Sequence, residues 1–138
     1  MQNNIEKRSH FVLTVKDLQK SKEWYDRVLE PLGFVVAFVD ERNVYYKSDK
    51  HPFFLAIFQG HEEFNNDGFN RYRVGFHHLG IAVDEQKLVD AMFDLLQEMG
   101  VAVEDEPRHY PDYGDDLYYA LFFHDPDGLR LEVFYEEG

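Results

Sequence analysis

The chain has 138 residues, 44% of them hydrophobic, which is enough to bury a real core, while either half alone is small for an independent domain. Its 14 basic against 27 acidic side chains leave a formal charge of −13, which repels nucleic acid and anionic membrane surfaces and argues against a polyanion-binding role. The absence of cysteine excludes disulfides, thiolate ligands and a cysteine nucleophile.

In chain order, Met1 to Ser9 is a charged lead-in without a signal-peptide core, and no run approaches the ~18 apolar residues that span a bilayer, so a soluble, cytoplasmic protein is expected. His10 to Val15 alternates as a strand. Either Asp17 or Ser21 can cap the helix that follows, from about Leu18 to Leu32, whose Tyr25, Val28, Leu29 and Leu32 form one apolar stripe and which Gly33 closes. Phe34 to Val39, Asn43 to Lys47 and Phe53 to Phe58 then read as strands, the first two separated by the polar turn Asp40 to Asn43. Gly60 to Gly75, rich in Asn, Asp, Glu and Gly, reads as a linker whose Phe64, Phe69 and Tyr72 are expected to pack against something.

His77 to Val83 opens a second series. Leu88, Ala91, Met92, Leu95, Leu96 and Met99 follow a helical stripe that Gly100 stops. Strands are expected around Val101 to Val103, at Leu117 to Phe123 and at Leu129 to Tyr135, the last two joined by the tight turn His124-Asp125-Pro126-Asp127-Gly128. Glu104 to Asp116 reads as a long loop carrying His109, Tyr110 and Tyr113, of a length common in lids and binding loops. Both halves therefore read β-α-β-β-β, an internal repeat in which a histidine heads each first strand, at positions 10 and 78. A single compact α+β domain over residues 1–138 is expected, with module 1 at about 9–60, a linker at about 61–75 and module 2 at about 76–136.

Strand parity carries the chemical signal, because alternate side chains point to opposite faces. Phe11, Leu13 and Val15 form the face that meets a helix, leaving His10, Val12 and Thr14 opposite. Likewise Leu79, Ile81 and Val83 leave His78, Gly80 and Ala82, and Leu131, Val133 and Tyr135 leave Arg130, Glu132 and Phe134. Two imidazoles and a carboxylate are a recurrent ligand set for a divalent metal with positions open to substrate, and a carboxylate among apolar neighbours needs a partner. His10, His78 and Glu132 are thus the candidate metal ligands, with space left by Gly80 and Ala82. Zn, Fe, Mn, Ni and Co all accept such a set. His77, which has the parity of Leu79, reads as a neighbour of the ligand. Of Tyr118 and Tyr119, which alternate faces, only one can share the face of Glu132. His109 and Tyr113 are the loop groups placed to meet a substrate, as possible proton donors beside Glu132.

His10 in HFVLTVKDLQKSKEWYDRVLEPLGF, His78 in HHLGIAV and Glu132 in FFHDPDGLRLEVF together resemble the vicinal oxygen chelate superfamily, which includes glyoxalase I, fosfomycin-resistance proteins, extradiol dioxygenases and bleomycin-resistance proteins. The resemblance runs from about residue 9 to 136. It implies paired βαβββ modules whose curved sheets form a cup around one divalent metal, a small-molecule substrate and a homodimer. In that family the metal chelates adjacent substrate oxygens and stabilises developing negative charge, as a Lewis acid does. The subfamily patterns diverge here. The glutamate ligand and base of glyoxalase I matches Ala56, with Gln59 as the nearby substitute; the tyrosine of extradiol dioxygenases matches Phe122; the threonine of fosfomycin-type enzymes matches Val12. The expected function is a metal-dependent glyoxalase-like enzyme, of lyase, isomerase or oxygenase type, acting on a small oxygen-chelating metabolite. The alternative is a metal-free protein of the bleomycin-resistance kind that sequesters a ligand.

Overall fold

The structure, a computed structural model, describes residues 9–111 and 117–137. Two compact units divide between Asp67 and Gly68, inside the expected linker.

The first unit opens with β1 (Ser9–Val15) and α1 (Leu18–Leu29). Asp17 is the cap: its backbone is extended and its carboxylate accepts the Lys20 N–H at 3.2 Å, while Ser21 is buried inside the helix. The α-helix stops at Leu29, short of Leu32, and Glu30–Leu32 form a 3₁₀ turn. Pro31 is the reason, since it cannot donate to the ladder of an α-helix and its ring crowds the preceding turn. Gly33, at φ 95°, then reverses the chain. The strands β2 (Phe34–Val39), β3 (Asn43–Ser48) and β4 (Phe53–Gln59) follow closely where they were expected. The sheet order is β1-β4-β3-β2, with β1 parallel to β4 and the rest antiparallel.

Buried Leu13, Val15, Leu55, Ile57, Val44 and Tyr46 face α1, whose Tyr25, Val28 and Leu29 complete the core. Two polar contacts fix the helix on this sheet. Tyr46 donates its hydroxyl to Asp26 at 2.8 Å, and burial together with that carboxylate pushes the phenol pKa up. The Gln59 amide accepts the orphan N–H of Leu18 at 2.9 Å and donates to the carbonyls of Lys16 and Gly60 at 2.8 and 3.0 Å.

The second unit repeats the plan: β5 (Leu79–Ala82), α2 (Gln86–Glu98), β6 (Val103–His109), β7 (Tyr118–His124) and β8 (Arg130–Glu136), in the order β5-β8-β7-β6. Here β5 is parallel to β8 and the other pairs are antiparallel. Val89, Met92 and Leu96 of α2 pack with Leu79, Ile81, Leu131, Val133, Leu121 and Phe123. Tyr119 ties this helix down as Tyr46 does the first, donating to Asp90 at 2.6 Å.

Three expectations are corrected. Residues 104–109 are strand, not loop: β6 runs from Val103 to His109, and its register with β7 shifts around Asp105 and before Arg108, where Pro107 sits. The linker aromatics do not pack alike: Phe69 meets the Phe76 ring with centroids 5.6 Å apart, while Phe64 and Tyr72 stay 59% and 79% exposed, Tyr72 with its ring edge-on to His77. The second histidine strand begins only at Leu79, so His77 and His78 precede it. No helix among the described residues is long and apolar enough to cross a membrane.

Candidate functional site

The register of the second sheet assembles the site. Gly80 of β5 and Phe122 of β7 both pair with Glu132 of β8, so the three form one row across the sheet, and Ala82, Phe134 and Ala120 form the next. Leu79, Ile81, Leu131 and Val133 take the opposite face, toward α2. The carboxylate of Glu132 is therefore fixed by parity on the helix-free face, and it is buried, with 4% of the residue exposed.

Each carboxylate oxygen has a defined neighbour. Oε1 lies 3.2 Å from Nε2 of His78. Oε2 accepts the Tyr118 hydroxyl at 2.5 Å. Gly80 makes room for this arrangement: a Cβ there would lie 3.0 Å from Oε1 and 3.4 Å from the Phe134 ring. Phe134 in turn stacks on Tyr118, with centroids 5.1 Å apart and planes 8° apart. Nδ1 of His78 is 2.7 Å from Nδ1 of His77, so one of the two rings donates and the other accepts. Desolvation, with the His78 imidazole next, holds the His77 pKa below its ordinary value, which favours the neutral ring that such a contact requires.

A second polar knot borders this pair. Glu104 of β6 accepts from Arg130 at 2.9 Å, from Arg71 at 2.7 Å and from Nε2 of His124 at 2.9 Å. The Arg130 guanidinium lies 4.1 Å from the centroid of Phe122, the ring whose edge His78 meets at 6.1 Å. Hydrogen bonds from Arg130, with those from Arg71 and His124 behind them, hold the Glu104 pKa down at about 2, against a burial effect of opposite sign. Because the folded value lies below the ordinary 4.5, the knot contributes its full stability above about pH 4.5 and loses it as the pH falls toward 2. Acid unfolding followed by circular dichroism should accordingly begin at lower pH in the parent than in Glu104→Gln, and the stability difference between the two should close as the pH falls toward 2. Coincident curves across pH 3–5 would show that the knot contributes nothing.

The other predicted residues fall as follows. His10 is an exposed residue of β1 in the first unit, in register with Phe54. In that unit the row matching Gly80, Glu132 and Phe122 is Val12, Ala56 and Tyr45, with Ala56 fully buried, so no carboxylate stands there. Gln59 does not replace it, because its amide is committed to the start of α1. His109 closes β6 opposite Tyr119, with ring centroids 4.9 Å apart. That register puts it on the face away from Glu132, because directly paired residues share a face. Tyr113 lies outside the described residues. Tyr118 is the residue that sequence reasoning left undecided, and alternation had already reduced the choice to it or Tyr119. Arg71 and Glu104, far apart in sequence, carried no such signal.

Among the described residues no group of three His, Cys, Asp or Glu side chains is gathered that could hold a metal ion. His78 and Glu132 supply two donors of suitable chemistry, an imidazole nitrogen and a buried carboxylate oxygen directed at each other, with Gly80 keeping the oxygen clear.

Two βαβββ modules, each headed by a histidine and one ending in a strand that buries a glutamate, define a class of paired-module α+β proteins. The chain belongs to the Glyoxalase/Bleomycin resistance protein/Dioxygenase superfamily, whose family model matches residues 7–133. It is 33% identical over 124 residues to the uncharacterised protein YqjT of Bacillus subtilis (strain 168), covering 90% of this chain and 94% of that one. Among solved structures, a candidate glyoxalase from Bacillus halodurans superposes with a TM-score of 0.78 at 26% identity, over 94% of this chain and 95% of the other. The lactoylglutathione lyase of Agrobacterium tumefaciens shares the fold at a TM-score of 0.67 and 20% identity, over 92% and 91% of the two chains. So does the fosfomycin resistance protein FosX of Listeria monocytogenes, at 0.68 and 16%, over 94% and 92%.

Proposed function

We propose that this protein is a metal-dependent glyoxalase-like enzyme, of lyase, isomerase or oxygenase type, acting in the cytoplasm on a small oxygen-chelating metabolite. The observation that carries the reading is the buried Glu132 carboxylate with one oxygen directed at His78. Such a carboxylate between apolar neighbours is costly unless something shares its charge. His78 and Glu132 are proposed as two ligands of one divalent ion and His10 as the third, the two modules working as one domain and the protein as a homodimer.

The bound ion would polarise adjacent oxygens of the substrate and stabilise the charge that develops on them. The chain's own residues bind and orient. Gly80 and Ala82, both exposed, leave open surface beside the carboxylate, and Phe134 offers a partly exposed ring for an apolar or aromatic substrate group. Tyr113, outside the described residues, is proposed as the group that moves a proton; His109, on the opposite face, is not.

One observation favours the alternative, a metal-free protein that sequesters a small molecule: His78 and Glu132 already satisfy one another as a pair. Elemental analysis of protein purified without chelators separates the two. The enzyme reading expects about one transition-metal ion per chain, lost in His10→Ala and in His78→Ala and retained in His77→Ala. Metal-free parent protein that takes up none of the five candidate ions would establish the alternative, and equal losses in His77→Ala and His78→Ala would refute the ligand assignment.

A further inference from the structure

The residue with the closest hold on Glu132 has no part in the ligand set. Tyr118 sits four positions before Phe122 on β7, yet its hydroxyl reaches Oε2 of Glu132 at 2.5 Å. The phenol is not loosely placed. Its ring lies flat against Phe134, which shares a strand face with Glu132 and whose edge stands beside Gly80. Tyr110, Ala120 and Phe122 form one hydrophobic cluster on this face of the sheet, with Tyr118 and Phe134 packed against it.

Accepting the phenol at one oxygen divides the labour of the carboxylate. Oε2 is directed along the sheet into the Tyr118 hydrogen bond, and Oε1 alone faces His78 and the gap above Gly80. A glutamate held in this way offers a cation Oε1 first. Two-oxygen coordination would place the cation on an Oε2 whose charge is already drawn on by a short hydrogen bond from a hydroxyl that stacking keeps in place. Ions that accept a compact shell with single-oxygen carboxylates, such as zinc, are suited to this arrangement, whereas ions that favour two-oxygen carboxylates and larger shells, such as calcium, are not.

Building on the ligand assignment above, we propose that Tyr118 is a positioning residue that holds Glu132 to one-oxygen coordination and thereby sets both the affinity and the ion preference of the site. The general behaviour of groups that orient metal ligands gives the scale, a loss of about 10–100-fold in affinity on removal.

The test uses full-length protein stripped of metal and titrated with zinc, calcium and cobalt(II), with affinities from chelator competition and the visible spectrum of the cobalt form as a second readout. Tyr118→Phe keeps the stacked ring and removes only the hydroxyl. The expected result is unchanged stoichiometry, zinc affinity lower by about 10–100-fold, a narrower zinc-to-calcium preference and a shifted cobalt spectrum. Phe134→Leu, which leaves the hydroxyl but removes the ring that holds it, is expected to move both readouts in the same direction by less. Tyr119→Phe, which breaks a similar bond to Asp90 on the other face, is expected to move neither. A Tyr118→Phe protein with the parent's affinity and spectrum overturns the proposal while leaving the ligand assignment intact; should that variant not fold, an unchanged Phe134→Leu overturns it. A parent protein that binds none of the three ions instead refutes the ligand assignment, and the role of Tyr118 falls with it.

Discussion

Glu132→Gln is expected to abolish the stabilisation that the proposed metal would give and to leave the metal-free fold within about 1 kcal/mol of the parent. The two halves of this expectation come from opposing terms at one side chain. In the absence of a cation the Glu132 carboxylate is buried on the sheet face it shares with Gly80, Phe122 and Phe134, partnered by the Tyr118 hydroxyl and by His78. Removing its charge relieves a desolvation penalty of several kcal/mol and gives up charge-assisted hydrogen bonds worth about 1.5–3 kcal/mol each. Glutamine keeps the shape, so no cavity opens, and its amide oxygen still accepts the phenol. These terms nearly cancel. With metal bound at the proposed site nothing would cancel: at a concentration 1,000 times the dissociation constant a ligand adds about 4 kcal/mol to the parent, and a site reduced to the proposed histidines would forfeit most of it. Thermal unfolding with and without zinc measures both quantities in one experiment. A Gln variant stabilised by zinc as much as the parent would remove Glu132 from the ligand set.

The parts of this molecule that periodicity reveals were legible in the sequence, and the parts that depend on cross-sheet register were not. Alternation placed β1, β2, β4, β7 and β8 to within one or two residues, and it assigned Leu131 and Val133 to the helix side and Glu132 to the other. The edge strand β6 escaped because Val103-Glu-Asp-Glu-Pro-Arg-His109 carries almost no hydrophobic signal. An edge needs none: with a partner on one side only it tolerates charges and Pro107, which a central strand would not. For the same reason His109 read as a loop residue near substrate, when its pairing with Tyr119 turns it to the other face. Of the linker aromatics expected to pack, Phe69 does so against Phe76, whereas Tyr72 offers its ring to the Arg71 guanidinium at 5.0 Å and stays largely in solvent. The internal repeat was visible in the two histidines, while its asymmetry has a structural cause: the row centred on Glu132 in one module is centred on buried Ala56 in the other. Only the second module can supply a carboxylate from that position.

Gly80→Ala should weaken metal binding by about tenfold, a loss of ~1.4 kcal/mol, while changing the stability of the metal-free protein by less. The argument rests on space and not on backbone freedom, for Gly80 sits in an ordinary extended strand and alanine meets no conformational barrier there. Replacing glycine within a strand even removes an entropic cost. What the methyl meets is Oε1 of Glu132 at 3.0 Å and the Phe134 ring at 3.4 and 3.6 Å. The first distance is tighter than a carbon–oxygen contact tolerates, so something must yield by a few tenths of an ångström. The Phe134 ring is stacked against Tyr118 and resists. The carboxylate is the softer neighbour, and a shift of Oε1 disturbs its 3.2 Å approach to His78, where the proposed pair of ligands meets. Zinc affinity by chelator competition reads the displacement directly, with thermal unfolding of the metal-free variant as the control. Unchanged affinity would mean that Phe134 gives way instead, and Gly80 would then serve only to let the strands approach. Affinity reduced with stability preserved would place this glycine, which has no side chain of its own, among the residues that shape the metal site.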